Sequence, residues 1–138
     1  MALNNRFHPM NSTPYTIVDL QQGTPAWLEW RSQGIGSSDA PAIMGENPWK
    51  SPRQLLQEKC SVSENISNAA MDLGTELEPE ARRHYEIKVG IQVVPTCLQS
   101  VRFEWLRASV DGLAIDGSTV VEIKCGESVY RNSSASRK

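Results

Sequence analysis

At 138 residues, 39% hydrophobic and 22% charged, the chain has the proportions of one globular domain rather than a repeat, a collagen-like or a wholly disordered protein. Its net charge of −2, from 14 basic and 16 acidic residues, supplies no global field to draw it onto phosphates, so contact with nucleic acid must rest on local groups or bound cations. The start holds no apolar run long enough for a signal peptide or membrane span, and Cys60, Cys97 and Cys125 are odd in number and far apart; a cytoplasmic protein with reduced, mostly buried thiols, without zinc or an iron–sulfur cluster, is expected.

In chain order, residues 1–14 are rich in Asn, Ser and Pro and read as a flexible N-terminus, followed by a short extended segment at Tyr15 to Leu20. Thr24-Pro25 gives an N-cap and a first-turn proline, and Gly34 closes a helix over Pro25 to Gln33. Trp27 and Arg31 share a face of it, where the ring can simply stack on the arginine. Gly34-Ile35-Gly36-Ser37-Ser38-Asp39 then feeds a short helix ending at Gly45; its N–H groups and hydroxyls suit an anion, although Ser37, Ser38 or Asp39 can equally cap the helix.

Asn47-Pro48-Trp49-Lys50 is a turn, and Ser51-Pro52-Arg53-Gln54 opens a third helix to about Cys60 with Leu55 and Leu56 buried. Ser61 to Asn68 reads as a loop. The longest helix is expected from about Asn68 to Val89, with Ala70, Leu73, Leu77, Ala81 and Tyr85 as its apolar stripe. Glu78 and Glu80 flank that stripe on opposite sides, so periodicity does not choose between them; Arg82 can pair with Glu78 or face solvent, and His84 reads as a partly buried structural residue. Ile91 to Pro95 and Leu98 to Trp105 alternate as two strands.

From Arg107 to Cys125 two β-prone runs are bounded by Asp111-Gly112 and Asp116-Gly117. In the second run Glu122 and Lys124 share one face while Val121, Ile123 and Cys125 take the face to be buried. A reversal at Asp116-Gly117 brings Asp111, at the end of its strand, beside Glu122. Two carboxylates that would otherwise repel one another, with an ammonium beside them, suit Mg²⁺ (or Mn²⁺) and phosphodiester cleavage. Any half-exposed hairpin shares this pattern, so upstream segments must discriminate.

Ser109-Val110-Asp111-Gly112 with Glu122-Ile123-Lys124-Cys125 resembles the split acidic signature of the PD-(D/E)xK nuclease superfamily. With Trp27-Leu28-Glu29-Trp30-Arg31, Gly34 to Asp39, and Gly74-Thr75-Glu76-Leu77-Glu78-Pro79-Glu80-Ala81-Arg82 in the same order, it is most similar to the lambda-exonuclease or YqaJ-like viral recombinase family, over about Gln21 to Cys125. Val110 stands where the family has proline.

The resemblance implies an α/β (α+β), restriction-endonuclease-like core, with N-terminal helices packed on a twisted mixed sheet over residues 15–125 and a polar tail at 126–138. Glu78, Asp111, Glu122 and the Ile123 carbonyl would hold the metal, Lys124 would position water, and Arg31, Ser38 and Ser109 would bind a 5′-phosphate or DNA. The implied activity is that of a Mg-dependent deoxyribonuclease of phage recombination type, digesting duplex DNA ends 5′ to 3′, with a single-strand annealing protein as partner and a homo-oligomer, a trimer in the family. The family's sheet continues beyond Lys124 with a glutamine-bearing helix and further strands, so a C-terminally truncated member is expected. An endonuclease, or an inactive remnant binding DNA ends or a partner, is the alternative.

Overall fold

The computed structural model describes residues 13–61 and 69–125. The expectations for residues 1–12, for the 62–68 part of the loop and for the tail at 126–138 lie outside these residues. Among the described residues four helices and four strands follow in the order β1 (Tyr15–Val18), α1 (Pro25–Ser32), a 3₁₀ turn (Ser37–Asp39), α2 (Ala40–Ile43), α3 (Pro52–Cys60), α4 (Ala69–Val89), β2 (Val93–Ser100), β3 (Arg107–Ala114) and β4 (Val120–Val121).

Local chemistry sets the helix ends. The Thr24 hydroxyl accepts the Trp27 N–H at 3.3 Å, and Ser51 and Gln54 form a reciprocal capping box that starts α3. Helix α4 runs without interruption through Gly74, as the upstream start of its apolar stripe requires, and carries Pro79 in its interior. Pro79 cannot donate the usual intrahelical bond, so a boundary rule applied at Pro79 alone would have ended the helix beside Glu78.

The sheet has the order β1-β2-β3-β4 and every strand pairing is antiparallel; a parallel contact occurs as an isolated bridge between Ile35 and Leu106. The expected pair of strands at Ile91–Pro95 and Leu98–Trp105 is instead one strand, β2, ending at Ser100. The reason is a bulge. From Val94↔Leu113 to Thr96↔Val110 the register advances two residues on β2 and three on β3. Asp111 and Gly112 together therefore oppose Pro95, which has no N–H to give to the ladder, and the strand continues past the proline.

Strand β3 likewise runs on to Ala114, so Asp111 lies inside the strand rather than at its end, and the reversal is made by Asp116-Gly117 with Gly117 at φ 72°.

Among the described residues the buried apolar set is Ala42 of α2, Leu55 of α3, and Val93, Cys97, Leu98, Leu113 and Ala114 of the two central strands. Leu56, expected inside, is 63% exposed because the capped helix turns only Leu55 inward. Leu73 and Leu77 of the α4 stripe also remain exposed. Two polar contacts tie α4 to the sheet. Arg82 Nε donates to the Asp111 carbonyl at 2.9 Å, and Glu86 accepts the Val93 N–H at 2.9 Å. Of the thiols, Cys97 is buried, Cys125 intermediate and Cys60 exposed, so burial holds for fewer of them than expected.

Two glycines should respond oppositely to a methyl group. A Cβ on Gly112 would lie 2.7 Å from Val93 Cγ2 and 2.9 Å from Val93 Cβ, a buried β-branched side chain with little room to rotate. Nothing lies within 4 Å of a Cβ on Gly74. Chemical denaturation should show G112A losing about 2 kcal/mol to overpacking and G74A gaining about 0.5–1 kcal/mol from helix propensity. An unchanged G112A midpoint would contradict the tight crossing of β2 and β3.

Candidate functional site

A cleft of about 280 Å³ opens between α1, the 3₁₀ turn and the β3–β4 hairpin. Arg31 and Ser38 line one end of it, Ser109 the middle, and Asp111, Glu122 and Lys124 the other end. Six of the residues singled out in the sequence therefore meet in one depression.

At the acidic end, antiparallel pairing of Gly112 with Val121 places Asp111 opposite Glu122 when the register is continued by one residue. Beyond β4 the expected alternation persists: Val121, Ile123 and Cys125 are partly covered, while Glu122 and Lys124 are exposed. Asp111 Oδ2 accepts the Ile123 N–H at 2.7 Å, fixing the carboxylate against the next segment of chain. Lys124 Nζ and Glu122 Oε1 form an ion pair on the open side. The bond to Glu122 is the main reason the Lys124 ammonium is held above its usual range; partial burial opposes it, and the charges of Glu122, Asp111 and Glu78 reinforce it. Lys124 is therefore a proton-bearing donor at neutral pH rather than a base.

Glu78 reaches this end from α4. It does not line the cleft, yet it lies within electrostatic range of both Asp111 and Glu122. It pairs with Arg82 one turn on, and Arg82 in turn holds the Asp111 carbonyl, so one guanidinium joins the helical carboxylate to the strand. Glu80 points elsewhere and meets His84 at 3.6 Å in a largely exposed pair, which also corrects the expected partial burial of His84. Of the two carboxylates that periodicity left open, Glu78 is thus the one on the side of α4 near Asp111 and Glu122.

Burial raises the Glu78 pKa, with the negative charge of Asp111 second and that of Glu122 also contributing, against the lowering effect of Arg82.

The donor types here, carboxylate and carbonyl oxygens, suit a hard divalent cation. Among the described residues no group of three His, Cys, Asp or Glu stands close enough to hold a metal as arranged. The physical reason is visible in the pairings. Glu78 is drawn to Arg82, Glu122 to Lys124, and Asp111 to the Ile123 N–H. A cation shared by the three would have to displace the first two of these contacts.

The basic end is a connected set of side chains. Arg31 Nη2 donates to Ser38 Oγ at 2.7 Å, the Arg31 guanidinium lies 5.0 Å from the Trp27 ring centre, and Trp27 Nε1 donates to Ser109 Oγ at 2.8 Å. The stacking and the phosphate-gripping readings of Trp27 and Arg31 are therefore compatible: the ring orients the guanidinium into the cleft.

Two lining residues were missed in the sequence. Gln22 Nε2 donates to the carbonyls of Val110, at 2.9 Å, and Thr96, at 3.4 Å, which flank the bulge at Asp111. Arg107 lies over the Trp30 ring at 5.1 Å and bonds the Trp30 carbonyl. The bulge that gives Gln22 its role has no signal in the sequence beyond Pro95 facing a glycine-bearing strand.

The chain is similar in sequence and fold to known proteins. A family model described as the YqaJ-like viral recombinase domain matches residues 26–138. A Bacillus subtilis (strain 168) protein described as uncharacterized protein YqaJ is 35% identical over 103 residues, which are 71% of this chain and 32% of that one. An LHK-Exo structure in complex with dAMP is similar at a TM-score of 0.66 and 30% identity, over 83% of this chain and 60% of that chain. A second, of the alkaline exonuclease LHK-Exo from Laribacter hongkongensis, gives 0.65 and 29%, over 83% and 59%. The chain thus spans about a third of the Bacillus protein and about three fifths of the exonuclease chains.

Glu78 gives a pH signature. Because the folded state binds this proton more tightly than the unfolded chain does, stability falls as pH rises from the ordinary 4.5 through the raised folded value, and stays lower above it. E78Q cannot lose that proton. With divalent ions chelated, thermal melts should show E78Q and the parent alike at acidic pH and E78Q the more stable at pH 7 to 8. Parallel pH profiles would show that the Glu78 environment is neutral towards charge.

Proposed function

The chain belongs to the YqaJ-like viral recombinase family, and on that premise we propose that it is a divalent-metal-dependent deoxyribonuclease domain that digests duplex DNA from a 5′-phosphorylated end. The Laribacter exonuclease, similar at 29% identity over 83% of this chain, supports the reaction class. The observation that carries the reading is one cleft with two chemically different ends: a guanidinium and hydroxyls at Arg31, Ser38 and Ser109, and carboxylates with an ammonium at Asp111, Glu122 and Lys124. A strand end is the substrate that offers a terminal phosphate and a neighbouring scissile phosphodiester at once.

In this reading Arg31 grips the terminal phosphate, with Ser38 and Ser109 donating alongside it. Glu78, Asp111, Glu122 and the Ile123 carbonyl would hold Mg²⁺ or Mn²⁺, which when bound lowers the pKa of water and offsets charge on the phosphate. Hydrolysis adds water to phosphorus and releases the 3′-oxygen with a proton. Lys124, protonated and exposed beside Glu122, donates to the attacking water or to the phosphate oxygens as negative charge builds. Asp111 is kept in place by the Ile123 N–H, and its strand by Arg82 and Gln22.

The cation also answers the modest net charge of −2, since positive charge is needed only where the scissile group sits. A single-strand annealing partner and assembly into a ring of like chains belong to the same reading as properties of the family.

Linear duplex bearing a 5′-phosphate, linear duplex bearing a 5′-hydroxyl, and closed circular DNA should be incubated with Mg²⁺ or with EDTA. Phosphorylated linear DNA should shorten, with Mg²⁺ required and the circle untouched. E122Q should lose at least about 10²-fold in rate, and R31A should raise KM for phosphorylated ends roughly ten- to hundredfold. Cutting of the circle would favour an endonuclease; binding of ends without metal-dependent cleavage would favour an inactive end-binding domain.

A further inference from the structure

Behind the basic end of the cleft lies an ion pair that the proposed chemistry does not use. Asp39, 9% exposed, closes the 3₁₀ turn: its Oδ2 accepts the Gly36 N–H at 2.9 Å and pairs with Lys59 Nζ at 2.9 Å. The same Lys59 ammonium donates to the Arg31 carbonyl at 3.3 Å. Lys59 comes from the last turn of α3 and does not line the cleft. One cation thus touches two of the three elements that present the phosphate donors, the end of α1 at Arg31 and the turn that carries Ser38.

We propose that Lys59 is a positioning residue for the phosphate-binding pair, setting the spacing of Arg31 and Ser38 through Asp39 and the Arg31 carbonyl. The inference rests on the reading of Arg31 and Ser38 as phosphate donors. Two effects follow from its placement. Geometrically, bridging α1 to the 3₁₀ turn holds Arg31 Nη2 and Ser38 Oγ at the 2.7 Å at which both can converge on one phosphate. Electrostatically, Lys59 neutralises a buried carboxylate that adjoins Ser38 in the chain. Left unpaired, the Asp39 charge would repel an arriving anion and destabilise the loop. A lysine reaching from a third helix suits this task because its ammonium offers several donors around one point.

The test is end discrimination: KM and kcat on duplex carrying a 5′-phosphate and on duplex carrying a 5′-hydroxyl, for the parent, K59M, K59R and the double variant D39N/K59M. K59M should raise KM for phosphorylated ends about tenfold with kcat little changed, narrowing the ratio between the two ends. K59R, which keeps the charge and several donors, should keep the parent ratio. D39N/K59M removes the two charges together, so a folded protein is expected even where K59M is too unstable to assay; it lacks the bridge and should also show the narrowed ratio. A folded K59M or D39N/K59M with the parent ratio would overturn the role of Lys59 while leaving the phosphate site intact. A parent protein that does not distinguish the ends would overturn the phosphate site itself, and this inference with it.

Discussion

The guanidinium of Arg82 is the contact on which the acidic end of the cleft depends. It holds the Glu78 carboxylate on α4 and the main-chain carbonyl of Asp111 on β3 at the same time, and so fixes a helix to a strand where like charges accumulate. Three carboxylates within electrostatic range are unfavourable in a folded protein without compensation, and the Glu78 pKa is raised first by burial and then by the charge of Asp111, against the lowering effect of Arg82. Arg82 and Lys124 hold the cluster together as the structure stands. Both are positive charges that a divalent cation could take over from, which makes the same strain useful for binding one.

The bulge in β3 is the second constraint. Ser109 and Asp111 line the same cleft, as residues two apart on one strand do, and the extra residue opposite Pro95 shifts the alternation from Gly112 onward, so that Gly112 faces Val93. Gly112 is needed because Val93 packs where a side chain would be, and Gln22 satisfies carbonyls at the irregular pairing. Site and fold meet in these few residues: the proline that looks like a strand breaker, the glycine after the aspartate, and a glutamine some ninety residues away in sequence.

Helix positions were readable because their determinants are local. Thr24-Pro25 and Ser51-Pro52-Arg53-Gln54 carry their own capping chemistry, and the α4 stripe outweighs the proline within it. The alternation from Val121 to Cys125 was equally plain, because period two is the signature of a strand with one covered face. What could not be read was set by distant partners. Pro95 seemed to divide β2 because a bulge depends on the facing strand; Leu56 seemed buried because periodicity does not say how wide the buried stripe is; and the choice of Glu78 over Glu80 required knowing which face of α4 meets β3. The pairing of Lys59 with Asp39 joins two segments twenty residues apart with no motif between them.

In the proposed reading the cleft grips a DNA end at Arg31, Ser38 and Ser109 and gathers carboxylates beside it. The account stands or falls on whether Glu78, Asp111 and Glu122 act as one set of ligands. The most direct measurement is diffraction from crystals of this protein soaked in Mn²⁺, collected at a wavelength where manganese scatters anomalously. The account predicts an anomalous peak bounded by these three side chains, with Glu78 released from Arg82 and Glu122 from Lys124. A crystal that takes up manganese elsewhere, or leaves both ion pairs closed at saturating metal, would contradict it.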